Sequence, residues 1–321
     1  MKDFLNKIIC GDCIKVLGKV NEPFADLIFA DPPFNIGYKY DRYNDNLKKE
    51  KYIAWTKEWM AACKKVLKPA GSFYIAIGDD YAANVRIIGD KIGLHLRNWI
   101  IWHYSFGQHT KQKFARSHTH IFYFVNDEKK FTFNDFAVRI PSGRQLIYSD
   151  KRANSKGRIP DDVWAEFSRV CGTFKERQGW HPCQMPENLL QRIIAVSSNP
   201  GDCVLDPFSG SGTTAAAARR LGRNFAGIEI SKVYVRQSIK RLESLKKQKS
   251  QNLFLDIKEL NELKRLSVDM NLPAQRIAGD KTLLNLFVNQ LSVRLNTQKK
   301  LDTQSVLPVL MDCKIDDNSK K

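Results

Sequence analysis

Two apolar runs, each breaking off in an acidic, proline-bearing loop, constrain this chain more than anything else in it. Ala25-Asp26-Leu27-Ile28-Phe29-Ala30 leads into Asp31-Pro32-Pro33-Phe34, and about 175 residues later Cys203-Val204-Leu205 leads into Asp206-Pro207-Phe208-Ser209-Gly210-Ser211-Gly212. Short continuous apolar runs bounded by turn residues read as strands buried on both faces, the habit of parallel sheets. Proline removes a ladder donor and locks φ, so each strand gives way to a loop at its carboxyl end. Ligands of open α/β sheets bind along that edge. The expectation is one sheet with two sites.

The rest of the chain supports that sheet. Residues 8–10, 72–77, 99–102 and 121–125 carry strand patterns, and 52–67 and 81–89 carry helical spacing, the first helix stopping at Lys68-Pro69-Ala70-Gly71. Such alternation predicts a mainly parallel sheet with helices on both faces. From about 126 to 179 the rhythm is lost, and Arg139, Arg144, Lys151, Arg152, Lys156 and Arg158 alternate with Tyr148, Trp164, Phe167 and Phe174. Regularity returns with a helix over 187–197, a strand at Val204-Leu205, a helix over 213–221, a strand over 224–230 and a basic helix to about 249. The remainder is polar and helical, with an amphipathic helix starting near Leu283. Four segments are expected: 1–125, 126–180, 181–249 and 250–321.

Lys and Arg outnumber Asp and Glu 52 to 34, a net charge of +18 that points to a polyanionic partner, nucleic acid first. No apolar run reaches bilayer length and no signal-peptide pattern opens the chain, so a soluble, cytoplasmic protein without a membrane partner is expected. The 7 cysteines are odd in number and scattered, as in a reducing compartment. Cys10-Gly11-Asp12-Cys13 has CxxC spacing but no second pair follows, so no metal is expected.

In the later loop, Gly210, Gly212 and Ala215 fit the G-x-G-x-x-G/A pattern, and Glu229 ends the next strand, where ribose hydroxyls are held. Asp206 immediately before the glycines would repel a pyrophosphate. It would attract the ammonium and sulfonium of S-adenosylmethionine, which becomes the expected cofactor, with Phe208, Ser209, Ser211 and Thr213 completing the loop. After Glu229 too few strands remain to finish a sheet. The missing half must come from the upstream segment, which makes the order circularly permuted.

Asp31-Pro32-Pro33-Phe34 suits an exocyclic amine. The Asp31 carboxylate and the Pro32 carbonyl offer two acceptors that would orient the nitrogen, Pro33 stiffens the turn, and Phe34 offers a ring on which a base would stack. In-line methyl transfer needs little beyond positioning and stabilisation of the charge that develops on nitrogen. A base inside duplex DNA must be flipped out to reach such a site, and the basic, aromatic stretch between the loops is placed to assist.

Together these motifs resemble the bacterial and phage DNA amino-methyltransferases of the permuted β group, over roughly residues 8–245. The resemblance implies a Rossmann-like, mostly parallel sheet with an antiparallel strand, a target-recognition insertion and a helical C-terminal extension. It places Asp12, beside Cys13, at the cofactor adenine, and it makes His181-Pro182-Cys183-Gln184-Met185-Pro186 similar to an H-P-T-Q-K-P motif at the methionine end. His181 and Gln184 keep that pattern; Cys183 and Met185 depart from it. In this family aspartate at the head of D-P-P-[FY] accompanies adenine N6 methylation and serine cytosine N4 methylation, so Asp31 implies adenine in double-stranded DNA. Cytosine N4 methylation on the same scaffold and a silent DNA-binding regulator on the same fold are the alternative readings. The resemblance leaves open a cognate restriction endonuclease and a homodimer. His118 and His120 are expected at an edge or in the core, and Trp55 and Trp59, four apart, in the core.

Overall fold

In a computed structural model, residues 4–105, 110–172, 174–246, 255–296 and 301–312 are described. The strands are β1 (Lys7–Cys10), β2 (Ala25–Ala30), β3 (Leu67–Ile77), β4 (His95–His103), β5 (His118–Val125), β6 (Val163–Trp164), β7 (Cys203–Asp206) and β8 (Asn224–Glu229). They form one sheet in the order β1-β8-β7-β2-β3-β5-β4-β6, in which β5 runs antiparallel to both its neighbours. β2 pairs directly with β7 through Leu27–Val204 and Ile28–Leu205. Asp26 reinforces that seam, accepting the Cys203 amide at 2.9 Å while bound to the Lys68 ammonium.

The unbroken apolar runs have a simple cause: both faces of the sheet are covered. Ile28, Ala30, Phe73 and Ile75 pack beneath α1 (Cys13–Gly18), α2 (Lys49–Val66) and α3 (Asp79–Lys91). Leu27, Phe29, Tyr74 and Ala76 pack against α5 (Glu187–Ser197), α6 (Thr213–Arg220) and α7 (Lys232–Lys246). Successive residues thus serve opposite layers, as the period of two requires. The 68–71 stretch does end α2, yet Leu67 already pairs with Ala25, and the chain bulges before Ser72 resumes the ladder opposite Leu27.

The polar middle region is built into the sheet. Its two-residue strand β6 extends the sheet at β4. Trp164 and Phe167, part of the aromatic stretch expected to assist base flipping, are buried, with the Arg192 guanidinium 5.1 and 4.4 Å from their ring centroids. Their local sequence is as polar as a surface; α5, which carries Arg192, supplies the cover from outside.

α8 (Ile257–Met270), α9 (Ala274–Gly279), α10 (Lys281–Leu295) and α11 (Thr303–Asp312) form a separate apolar cluster around Leu266, Phe287 and Leu291. Buried charges tie it to the rest. Arg192 bridges Glu166 at 2.5 Å and Asp269 at 2.7 Å, and Arg294 meets Asp269 at 2.7 Å while donating to the Arg139 carbonyl. No helix among the described residues is long and apolar enough to cross a membrane.

Candidate active site

β2 delivers Asp31 half-buried at the sheet edge. From α2 the Tyr52 hydroxyl donates to the Pro33 carbonyl at 2.7 Å, fixing the proline turn. Phe34 lies against Gly78, where an added Cβ would stand 3.3 Å from the ring. The following loop closes on itself around buried Asp45, which accepts the amides of Asn35, Ile36 and Tyr38. Asn35 adopts φ 58° and ties its side-chain amide to Leu47 and the Tyr81 hydroxyl. The loop reaches across to the other site, since Ser231, just after β8, donates to Asp41 at 2.6 Å.

β7 delivers Asp206, buried, accepting from the Phe208 amide at 2.9 Å and the Thr214 hydroxyl at 2.5 Å. Gly210 has φ 45°, and a Cβ there would fall 2.8 Å from the His181 Nε2. Gly212, at φ 72°, opens α6 and stands 3.0 Å from the Ser238 Cβ by the same measure. Only glycine meets both demands, the left-handed backbone and the close approach. The Gly210 amide donates to Glu229 at 2.9 Å, the Ser231 amide to the same carboxylate at 2.7 Å, and Arg241 holds the Ser211 carbonyl and the Thr213 hydroxyl.

The two loops share one cavity of about 380 Å³. Asp12, Cys13, Asp31 to Phe34, His181, Gln184, Asp206, Phe208 to Ser211, Thr213 and Glu229 all line it; Gly212 stands behind the wall as a turn. Asp12 also caps α1, accepting the Lys15 amide, and Gln184 is pinned by the Gln178 amide and the Glu176 carbonyl. Tyr40, Arg169 and Tyr234, which the sequence did not mark as site residues, join the lining, as does Trp55, expected in the core. Trp59 is core as expected, whereas Trp55 is half-buried in the cavity wall, 5.7 Å from the Phe208 ring. His118 also lines the cavity, and His120 accepts from the Trp99 indole. Tyr40 and Cys183 lie near each other in the lining, and the Tyr40 hydroxyl is pushed well above its usual value, by burial first and then by Cys183, so the residue that departs from the family pattern has a neighbour within this chain.

The electrostatics are those of a cation site. Burial pushes Asp31 up to about 7, Asp206 raising it further and Arg169 opposing. Burial likewise pushes Asp206 up to about 7, against hydrogen bonds from Thr214 and Phe208. Burial lowers His181 to about 4, leaving a neutral imidazole whose Nδ1 has no partner; the buried Ser209 hydroxyl has none either. Clustered carboxylates whose ionisation burial opposes, the unused Ser209 hydroxyl and a glycine cradle fit a cationic sulfonium cofactor.

The basic residues expected to meet DNA lie outside this cavity. Arg139 binds Asp135 and the Gly157 carbonyl, Arg152 binds Asp150, and Arg158 binds Asp161. Arg144, Lys151 and Lys156 are exposed, and Arg144 borders a shallow depression with Tyr148 and Arg152.

A permuted sheet that sets a glycine cofactor loop beside an Asp-Pro-Pro-Phe turn defines an S-adenosylmethionine-dependent methyltransferase, and residues 25–240 match the DNA methylase family model. The chain belongs to that family. It is 40% identical over 239 residues to the type II methyltransferase M.HpaI of Haemophilus parainfluenzae, covering 74% of each chain. It is 39% identical over 244 residues to the DNA adenine methyltransferase YhdJ of Escherichia coli K12, covering 74% of this chain and 82% of that one. Among solved structures, a Thermus thermophilus DNA modification methylase complexed with S-adenosyl-L-methionine shares the fold at TM-score 0.54 and 22% identity, covering 74% of this chain and 93% of that one. The cytosine-N4-specific PvuII DNA methyltransferase does so at TM-score 0.58 and 20% identity, covering 82% and 92%.

Proposed function

We propose that this protein methylates the N6 amine of an adenine flipped out of duplex DNA, with S-adenosylmethionine as donor. The observation that carries the reading is the pairing of β2 with β7, which puts Asp31 and Asp206 in one cavity. The adenine methyltransferase relative at 39% identity supports the choice of base. Glu229, Asp206 and the Gly210 loop would hold the cofactor, and bound S-adenosylmethionine supplies an electrophilic methyl group. Asp31 and the Pro32 carbonyl accept the two amine hydrogens, so the nitrogen lone pair is aimed and not spent on hydrogen bonding. Phe34 stacks on the base, and Tyr52, by holding the Pro33 carbonyl, keeps the acceptors in register. As the nitrogen becomes cationic Asp31 stabilises it, and a carboxyl titrating near 7 can then receive its proton.

That two relatives are named type II methyltransferases supports a cognate restriction endonuclease as a partner of this protein.

Asp31→Ala should lower the turnover of labelled methyl into DNA by about 100-fold or more while leaving S-adenosylmethionine affinity within about three-fold. Turnover within about ten-fold of wild type would remove Asp31 from the reaction.

A further inference from the structure

We propose that Phe114 is a wedge that enters the base stack beside the flipped adenine and holds the gap open, an inference that rests on the methylation reading above. Phe114 is 98% exposed, far beyond the next large apolar side chain among the described residues, Tyr148 at 75%. It lies in Lys111-Gln112-Lys113-Phe114-Ala115-Arg116, every member of which is exposed. No packing partner among the described residues accounts for a bare phenyl ring between cations. Duplex DNA does: Lys111 and Lys113 would meet phosphates, and the ring would replace the stacking that the departing base takes with it.

The position fits the task. The foot of the segment is fixed by Arg116, which bonds Asp79 and Asp80 at 3.0 Å each, in the first turn of α3 and directly after Gly78, where Phe34 rests. Ser117 accepts the Tyr104 amide at 2.8 Å, closing the loop between β4 and β5. Arg116, Tyr104 and His118 line the cavity, so Phe114 stands two residues from the rim through which a base must pass. A ring on a tethered stalk at that rim is in reach of the DNA while Phe34 waits inside.

The test compares synthetic duplexes in the context that the wild-type protein methylates, with the target adenine either paired to thymine or opposite an abasic site. Removing so exposed a ring leaves the core untouched, so Phe114→Ala should fold and bind S-adenosylmethionine as wild type does. On the paired duplex its kcat/KM should fall by about ten-fold or more, the loss expected for one stacking contact. Opposite the abasic site, where the helix is already open, the loss should be under about three-fold. Phe114→Trp should restore the paired rate. Equal losses on both duplexes, or a paired rate within about two-fold of wild type, would overturn the wedge. Failure of the wild-type protein to methylate any DNA would instead overturn the methylation reading, and the wedge with it.

Discussion

Asp31 and Asp206 end neighbouring strands and share one cavity, and burial drives both toward neutrality in the absence of a cation. Their pKa of about 7, against a usual carboxyl value near 4, means that near pH 6 the site holds protons which a cationic ligand must displace. A sulfonium favours the ionised form, so affinity should rise as pH passes upward through 7 and level off above about 8. The ligand's own amine titrates too, and that contribution is the same in the wild-type protein and in Asp206→Asn, so the difference between the two proteins isolates the carboxyl. The affinity should grow several-fold between pH 6 and 8 and be flatter in Asp206→Asn. Calorimetric titration of both proteins checks this; the same pH dependence in the two would show that the Asp206 carboxyl does not face the sulfonium.

At the scale of elements, the glycine loop works by close approach to His181. Gly210→Ala forces a Cβ to 2.8 Å from the His181 Nε2 at φ 45°, while Gly201→Ala meets an equally unfavourable φ of 88° with nothing within 4 Å. Each should lose stability by about 1–2 kcal/mol from the left-handed backbone. Only Gly210→Ala should also lose cofactor affinity, by about ten-fold, read by equilibrium binding beside the denaturation curves. Loops and elements that depend on nearby residues are legible in the chain itself. The helix over 187–197 coincides with α5, and the strand-loop boundaries at Asp31 and Asp206 hold, because apolar periodicity and proline or glycine punctuation are local signals. What depends on distant partners is not legible in that way. β6 has two residues and exists through β4; Trp164 and Phe167 are covered by Arg192 from α5. The loop after Phe34 closes because Asp45, ten residues beyond Asn35, gathers its amides, and Tyr40 has a role only because the fold brings Cys183 to meet it. The Tyr-rich stretch from Tyr38 to Tyr43, soon after Phe34, is a local signal that sequence reasoning missed.

For the whole molecule, the C-terminal helices are coupled to the catalytic sheet through buried charges. Arg192 on α5 sits between Glu166 and Asp269, and Asp269 in turn meets Arg294. Arg192→Met removes one member and leaves buried carboxylates short of a partner, a loss of about 3–5 kcal/mol in a urea titration. Cofactor affinity should hold, since Arg192 is absent from the cavity lining. A loss below about 1 kcal/mol would mean that solvent reaches the cluster. The same helices hold the middle region, Arg265 donating to the Ala137 carbonyl and Arg294 to those of Val138 and Arg139.

The neighbouring loops of β2 and β7 are claimed to form one adenine-methylating site, and expression in a methylation-free host followed by modification-sensitive sequencing of its DNA tests that directly. N6-methyladenine in a defined sequence context, lost when Asp31→Ala is expressed in its place, is the predicted result. N4-methylcytosine, or DNA left unmodified by the wild-type protein, would contradict it.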